Sequence, residues 1–303
     1  MTPVPSAPGT VGAALQRAKE SLQSVESGPL VAEVLLARAL ATDRTWILAH
    51  PEQTLAPERT LVYDRLLARA AAGEPLAYLT GVQEFFGLEF EVSPGALIPR
   101  PETELLVETA MDWLEERGRD VSDAVPPICA VDLGTGSGCI AITLAVKTPG
   151  LRVIAVEISP AALAVAARNL ARHAVGGRVR LVRADLLAPV RGPVDLLCAN
   201  LPYAPAPTLE DSPVVRHEPR MAVDGGPDGL RLIARALAQA APRMAPGGLA
   251  LFEIDARHAA AARRAAREAF PSAAVKIKKD LAGLERLLLI RTAPADNPKG
   301  PDL

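Results

Sequence analysis

Apolar positions along this chain change their spacing twice, and each change marks a boundary. From residue 11 to about residue 72 they recur at three- and four-residue steps, as in Leu15, Ala18, Leu22 and Val25, which is the repeat of an amphipathic helix. Gly28-Pro29 interrupts the run, and residues 30–41 and 57–72 read as further helices. A small domain of three to five helices is therefore predicted over residues 1–74. Residues 75–100 read as a linker, in which Phe85, Phe86, Phe90 and Val92, broken by Gly87, predict a short β-hairpin. Pro101, with Glu102 and Glu104 behind it, opens a helix to about Glu116. Proline suits the first helical position and carboxylates favour the positive end of the helix dipole.

From residue 128 onward, apolar runs alternate with helical segments. Strands are predicted at 128–133, 151–157, 178–184, 194–199, 248–254, 273–278 and 286–291, and helices near 138–147, 160–173, 228–244 and 256–270. This alternation predicts an α/β domain over residues 101–292, with a mostly parallel sheet covered by helices on both faces. The last two strands are joined by a short turn, so one of them should run antiparallel. Residues 1–10 and 293–303 are Pro-rich and are expected to be loose or disordered.

Composition narrows the chemistry. Hydrophobic residues make up 49% of the chain but aromatics only 3%, so the core must be aliphatic and an aromatic in a loop calls for a reason. Lys plus Arg (33) falls just short of Asp plus Glu (35), which gives no basic excess for gripping nucleic acid, and direct nucleic-acid binding is not expected. Cys129, Cys139 and Cys198 lack metal-ligand spacing and lie in or beside apolar runs; they read as buried hydrophobes of a reducing compartment, and no metal site is expected. No basic stretch followed by an apolar block opens the chain, and no apolar run reaches membrane-spanning length, so a cytoplasmic location is expected.

The segment after the first predicted strand reads Gly134-Thr135-Gly136-Ser137-Gly138 and leads into a helix. Glycines let the backbone turn sharply and approach a ligand closely. Roughly twenty residues on, Glu157 ends the next strand, where a carboxylate can accept ribose hydroxyls. A nicotinamide dinucleotide loop would carry its third glycine one position later, where Cys139 stands. Asp132 beside the loop disfavours a pyrophosphate and suits a ligand with a cationic sulfonium and an ammonium, as in S-adenosyl-L-methionine. Asp185 ends the third strand, either to meet an adenine amino group or to cap a helix.

The fourth strand runs into Asn200-Leu201-Pro202-Tyr203, at the strand end where ligands of such sheets bind. This composition suits methylation of a planar nitrogen, whose lone pair is delocalised. The Asn200 side-chain oxygen and the Leu201 carbonyl can accept both N–H protons, and Pro202 keeps Leu201 extended. Positive charge growing on the nitrogen is eased by those oxygens and by the Tyr203 ring.

The chain here resembles the release-factor glutamine N5-methyltransferases, from about Pro75 to Ile290. The matching blocks are PLAYLTGVQEFFG, LIPRPETE, DLGTGSGCIAI, VEISPAAL, HEPRMAVDGGPDGL and DLAGLERLLL. The resemblance implies a Rossmann-like class I methyltransferase sheet with a small N-terminal helical domain joined by a β-hairpin linker. It implies an S-adenosyl-L-methionine site formed by Gly134, Thr135, Gly136, Ser137, Gly138, Glu157, Asp185, Leu186 and Asn200. It further implies that Asn200, Leu201, Pro202 and Tyr203 hold the target glutamine, in the Gly-Gly-Gln motif of a peptide chain release factor that the helical domain helps to recognise. The family usually has Asn-Pro-Pro-Tyr; Leu201 replaces the first proline and brings an extra N–H. EIDAR stands where the family often shows EIG.

Asn-Leu-Pro-Tyr also resembles the motif of ribosomal RNA adenine dimethyltransferases, so an adenine N6-methyltransferase acting on RNA or DNA is the alternative. A non-catalytic binding protein and a nicotinamide dehydrogenase are more distant. Arg100 and Glu104 either border the site or fix the linker, His217 reads as a loop residue without a catalytic role, and Lys276, Lys278 and Lys279 as a solvated face.

Overall fold

The computed structural model describes residues 9–117, 128–209 and 215–295. The expected looseness of residues 1–8 and 296–303 lies outside the described residues. The chain divides into two compact units, Met1–Val82 and Gln83–Leu303.

The first unit is helical: α1 Val11–Ser21, α2 Gly28–Leu40, α3 Arg44–Ala49, α4 Pro57–Ala71 and α5 Leu76–Thr80. Thr10 and Asp43 cap α1 and α3 by accepting from the Ala13 and Trp46 amides. Pro29 and Pro57 sit in the first turns of α2 and α4. Its core gathers Val11 and Ala18 of α1, Leu22 just after it, Leu35 and Leu36 of α2, Ile47 and Tyr63. The buried Tyr63 hydroxyl donates to the Ala32 carbonyl at 3.0 Å, which satisfies the one polar atom of that ring.

A hairpin of β1 (Val82–Phe85) and β2 (Leu88–Glu91) follows. Phe86 and Gly87 both take positive φ, 53° and 74°, the turn that matches strand twist. Glu104 accepts from the Phe86 amide at 2.7 Å and so pins that turn. Pro101–Thr103 makes a 3-10 turn that leads into α6, Glu104–Glu116.

The remaining elements are β3 Cys129–Leu133, α7 Cys139–Lys147, β4 Arg152–Glu157, α8 Pro160–Arg172, β5 Val179–Arg183, β6 Val194–Ala199, α9 Arg220–Val223, α10 Arg231–Ala240, β7 Met244–Glu253, α11 Ala259–Ala269, β8 Ala274–Lys279 and β9 Glu285–Arg291. These strands form one sheet in the order β5-β4-β3-β6-β7-β9-β8, in which β9 runs opposite to the other six. Alternate residues of the central strands feed two different cores. Ala130, Val153, Leu196 and Leu251 pack against α6 and α7, while Val131, Val156, Leu197 and Phe252 pack with α10 and α11. Burial on both faces is why these strands read as continuous apolar runs.

Two elements differ from expectation by four residues at one end. The strand expected at 248–254 begins at Met244, because its pairing with β6 continues through an irregularity between Val194 and Leu196 that accommodates Gly247 and Gly248. The helix expected at 228–244 covers only Arg231–Ala240: Gly229 at φ 75° precedes it, and Pro242 ends it. The order reverses between β3 and β6, so a crevice opens beyond their carboxyl ends.

Candidate active site

That crevice is a cavity of about 600 Å³, bordered by Gly134, Gly136, Glu157, Asp185, Leu186, Asn200, Leu201 and Pro202. A volume of this order suits a nucleoside-sized ligand. Segments 94–97 and 219–222 complete the wall.

Gly134, Gly136 and Gly138 all have positive φ, of 68°, 56° and 85°. At Gly136 the direction of a side chain is open, with the nearest atom 3.8 Å away, so its missing Cβ leaves room on the cavity side. At Gly138 a Cβ would lie 2.8 Å from Ile142 of α7, so that glycine serves packing. Thr135 and Ser137 are buried behind the loop and, with Gly138, do not border the cavity. The Thr135 hydroxyl donates to Asp132 at 2.5 Å, and the Ser137 carbonyl accepts from Asn169 of α8 at 2.9 Å.

Asp132 is wholly buried beneath the loop and does not border the cavity, so it acts on a ligand there through its field alone. Its Oδ2 accepts from Thr135 and from the Ala141 amide, while its Oδ1 has no partner among the described residues. Burial pushes this carboxyl up to about 7.

Glu157 is anchored by three backbone amides. Oε1 accepts from Ile158 and Ser159, both at 2.8 Å, and Oε2 accepts from Gly136 at 3.0 Å. A carboxylate offers about four lone-pair directions, so Oε2 keeps one for a ligand hydroxyl. Asp185 borders the cavity, and its Oδ2 accepts from Arg235 of α10 at 2.6 Å. Leu186 beside it holds φ 52°, a conformation that a branched side chain rarely adopts.

Asn200 directly follows β6 in the cavity wall. Its Nδ2 donates to the Thr103 hydroxyl at 2.9 Å, so Oδ1 is the acceptor left to the cavity. The Thr103 hydroxyl in turn donates to Oε2 of Glu253 at 2.6 Å, and the Tyr203 hydroxyl donates to Oε1 of the same carboxylate at 3.0 Å. Glu253 is buried at the end of β7, which raises its carboxyl above the ordinary range, opposed by those two bonds and by Arg286. Burial likewise raises the Tyr203 hydroxyl. Tyr203 itself does not border the cavity. Leu201 is not only a carbonyl: its buried side chain lies against Gly134, where a Cβ would meet Leu201 Cδ2 at 3.0 Å.

Glu218 ties the two outer walls. Its buried carboxylate accepts from the Ile98 amide at 3.1 Å and pairs with Arg100. Arg100 and Glu104 therefore both fix backbone around the site, one through Glu218 and one through the hairpin turn.

Residues 13–81 match the PrmC N-terminal domain, and residues 125–216 match the methyltransferase small domain. A release factor glutamine methyltransferase of Moorella thermoacetica is 43% identical over 267 residues, spanning 88% of this chain and 92% of that protein. Another, from Nitratidesulfovibrio vulgaris, is 37% identical over 298 residues, spanning 96% and 98%. The chain belongs to the release factor glutamine methyltransferase family. A methyltransferase structure from Pyrococcus furiosus, 19% identical, covers 76% of this chain and 99% of its own with a TM-score of 0.50 and shares the fold.

Within this family site, the sequence pointed to both ends of the cavity but not to what braces them. Thr103 and Glu218 lie inside the blocks LIPRPETE and HEPRMAVDGGPDGL, and Glu253 opens EIDAR, yet nothing local marks them as partners of Asn200, Arg100 or Tyr203. Cys139 and Cys198 are buried with thiols raised by burial, which makes them unreactive. Among the described residues no His, Cys, Asp or Glu group is arranged to hold a metal, and no helix is long and apolar enough to cross a membrane.

Proposed function

We propose that this protein transfers a methyl group from S-adenosyl-L-methionine to the side-chain amide nitrogen of the glutamine in the Gly-Gly-Gln motif of a peptide chain release factor. The helical unit would contribute to recognising that partner, and the reaction would take place in the cytoplasm. The observation that carries this reading is Asn200: it borders the same cavity as Gly136 and Glu157, and its amide NH2 is held by Thr103, which leaves its oxygen to an incoming N–H.

The cavity residues fit the cofactor. Gly136 leaves room for close approach, Glu157 retains a lone pair for a ribose hydroxyl, and Leu186 and Ile158 give an apolar wall for a base. Asp132 beneath the loop favours a cationic ligand over a pyrophosphate. When bound, S-adenosyl-L-methionine supplies a methyl group on an electrophilic sulfonium. The chain's own contribution is orientation and charge stabilisation. Asn200 Oδ1 and the Leu201 carbonyl accept the two amide protons, draw the nitrogen towards tetrahedral geometry and face the positive charge it gains. No strong base is required, because the nitrogen becomes acidic as it is alkylated and would release one proton to solvent. Incubating the protein with a release factor and S-adenosyl-L-methionine should add one methyl to the Gly-Gly-Gln glutamine by mass spectrometry. Asn200→Ala should abolish that gain while leaving measurable cofactor binding; normal turnover by this variant would refute the role assigned to Asn200.

A further inference from the structure

We infer that Glu253, acting through Thr103, is a positioning residue that sets the polarity of the Asn200 amide, and that the same carboxylate fixes Tyr203. This rests on the proposed amide methylation and specifies how its acceptor oxygen is kept facing the reacting nitrogen. The geometry leaves little freedom. Glu253 takes one hydroxyl proton on each oxygen, from Thr103 at 2.6 Å and from Tyr203 at 3.0 Å. Having given its proton to Glu253, the Thr103 hydroxyl has only lone pairs to offer Asn200. Asn200 must therefore present NH2 to Thr103, as observed at 2.9 Å, and Oδ1 points the other way. A flipped amide would set its oxygen against the Thr103 oxygen, and its NH2 would compete for the cavity as a donor, the wrong sign for the protons of a target amide.

The three groups come from distant parts of the chain: Thr103 from the turn before α6, Asn200 from the residue just after β6 and Glu253 from the end of β7. Thr103 and Glu253 are 2% and 1% exposed, so neither can touch a substrate and both act only through what they hold. Burial also removes water as a substitute partner, which makes the direction of each hydrogen bond matter.

Thr103→Val keeps the shape and deletes the hydroxyl, Thr103→Ser restores it, and Glu253→Gln turns an acceptor into a group that can donate. Steady-state methylation of a release factor should show kcat lowered about 10- to 100-fold in Thr103→Val and Glu253→Gln, with KM for the release factor within about threefold. Thr103→Ser should return kcat to within about threefold of wild type. A Thr103→Val or Glu253→Gln protein that is folded by thermal melt and keeps wild-type kcat overturns the inference. So does a Thr103→Ser that is as impaired as Thr103→Val, since packing would then be the cause. A second readout needs no substrate: the side-chain NH2 protons of Asn200 in a nitrogen-15 spectrum should exchange slowly in wild type and Thr103→Ser, and fast in Thr103→Val. If wild type leaves release factors unmethylated, the substrate assignment fails. The relay then stands if that exchange pattern appears and falls if wild type and Thr103→Val exchange alike.

Discussion

Replacing Asp132 with asparagine isolates the electrostatic cost of one buried carboxyl under the glycine loop. Lost hydration pushes Asp132 up to about 7, opposed by the bonds from Thr135 and Ala141 and reinforced by Glu157, whereas an exposed aspartate titrates near 3.8. Between those values the folded chain holds one proton more than the unfolded chain. The contribution of Asp132 is therefore full below about pH 4 and falls as pH rises towards 7, the reverse of a salt-bridged carboxylate. At about 1.4 kcal/mol per unit, the loss from pH 5 to pH 8 comes to about 3 kcal/mol. Asparagine keeps the shape and does not titrate. Urea unfolding of both proteins at pH 5, 6, 7 and 8 should show the stability difference widening by about 3 kcal/mol in favour of Asp132→Asn. For a unit of this size that is about 6–12 °C in Tm. Saturating S-adenosyl-L-methionine should narrow the gap, because a cation nearby favours the ionised carboxylate. A difference that stays flat within about 1 kcal/mol across that range would mean that the carboxyl is hydrated in solution, and the reasoning from burial would fail.

Three further substitutions probe other parts of the site. Gly136→Ala adds a methyl on the cavity side at φ 56°, and should weaken cofactor binding at least about tenfold by calorimetry while costing about 1–2 kcal/mol of stability. Asn169→Leu removes bonds to the Glu91 amide, the Glu91 carbonyl and the Ser137 carbonyl, and should cost about 2–4 kcal/mol in urea unfolding. Glu218→Leu strips Arg100 and the Ile98 amide of their acceptor; it should cost about 2–4 kcal/mol and loosen cofactor binding as segment 94–97 loses its tie.

The α/β frame was legible because central strands buried on both faces leave uninterrupted apolar runs, and β6 falls on its expected residues, Val194–Ala199. Boundaries were legible only where a local signal governs them. Ser159 and Pro160 fix the start of α8 within the predicted span, whereas the start of β7 depends on a pairing with β6 that no local pattern reveals. The cavity was legible at its glycines, at Glu157 and at Asn200 because strand ends can be counted. Its braces were not: Thr103 and Asn200 are 97 residues apart, and Thr103 and Glu253 are 150 apart. Asp132 was read from the sequence only as a charge beside the loop, and the structure buries it beneath that loop, off the cavity surface.

Asn169 has one more consequence. In the last turn of α8 this asparagine, with no solvent contact, accepts from the Glu91 amide through Oδ1 and donates through Nδ2 to both the Glu91 and the Ser137 carbonyls. The glycine turn and the second hairpin strand thereby share a single rivet, and neither can open without releasing the other. The backbone amide of Glu91, which does not itself border the cavity, thus becomes a natural reporter. Its hydrogen exchange should slow whenever the glycine turn is held in place.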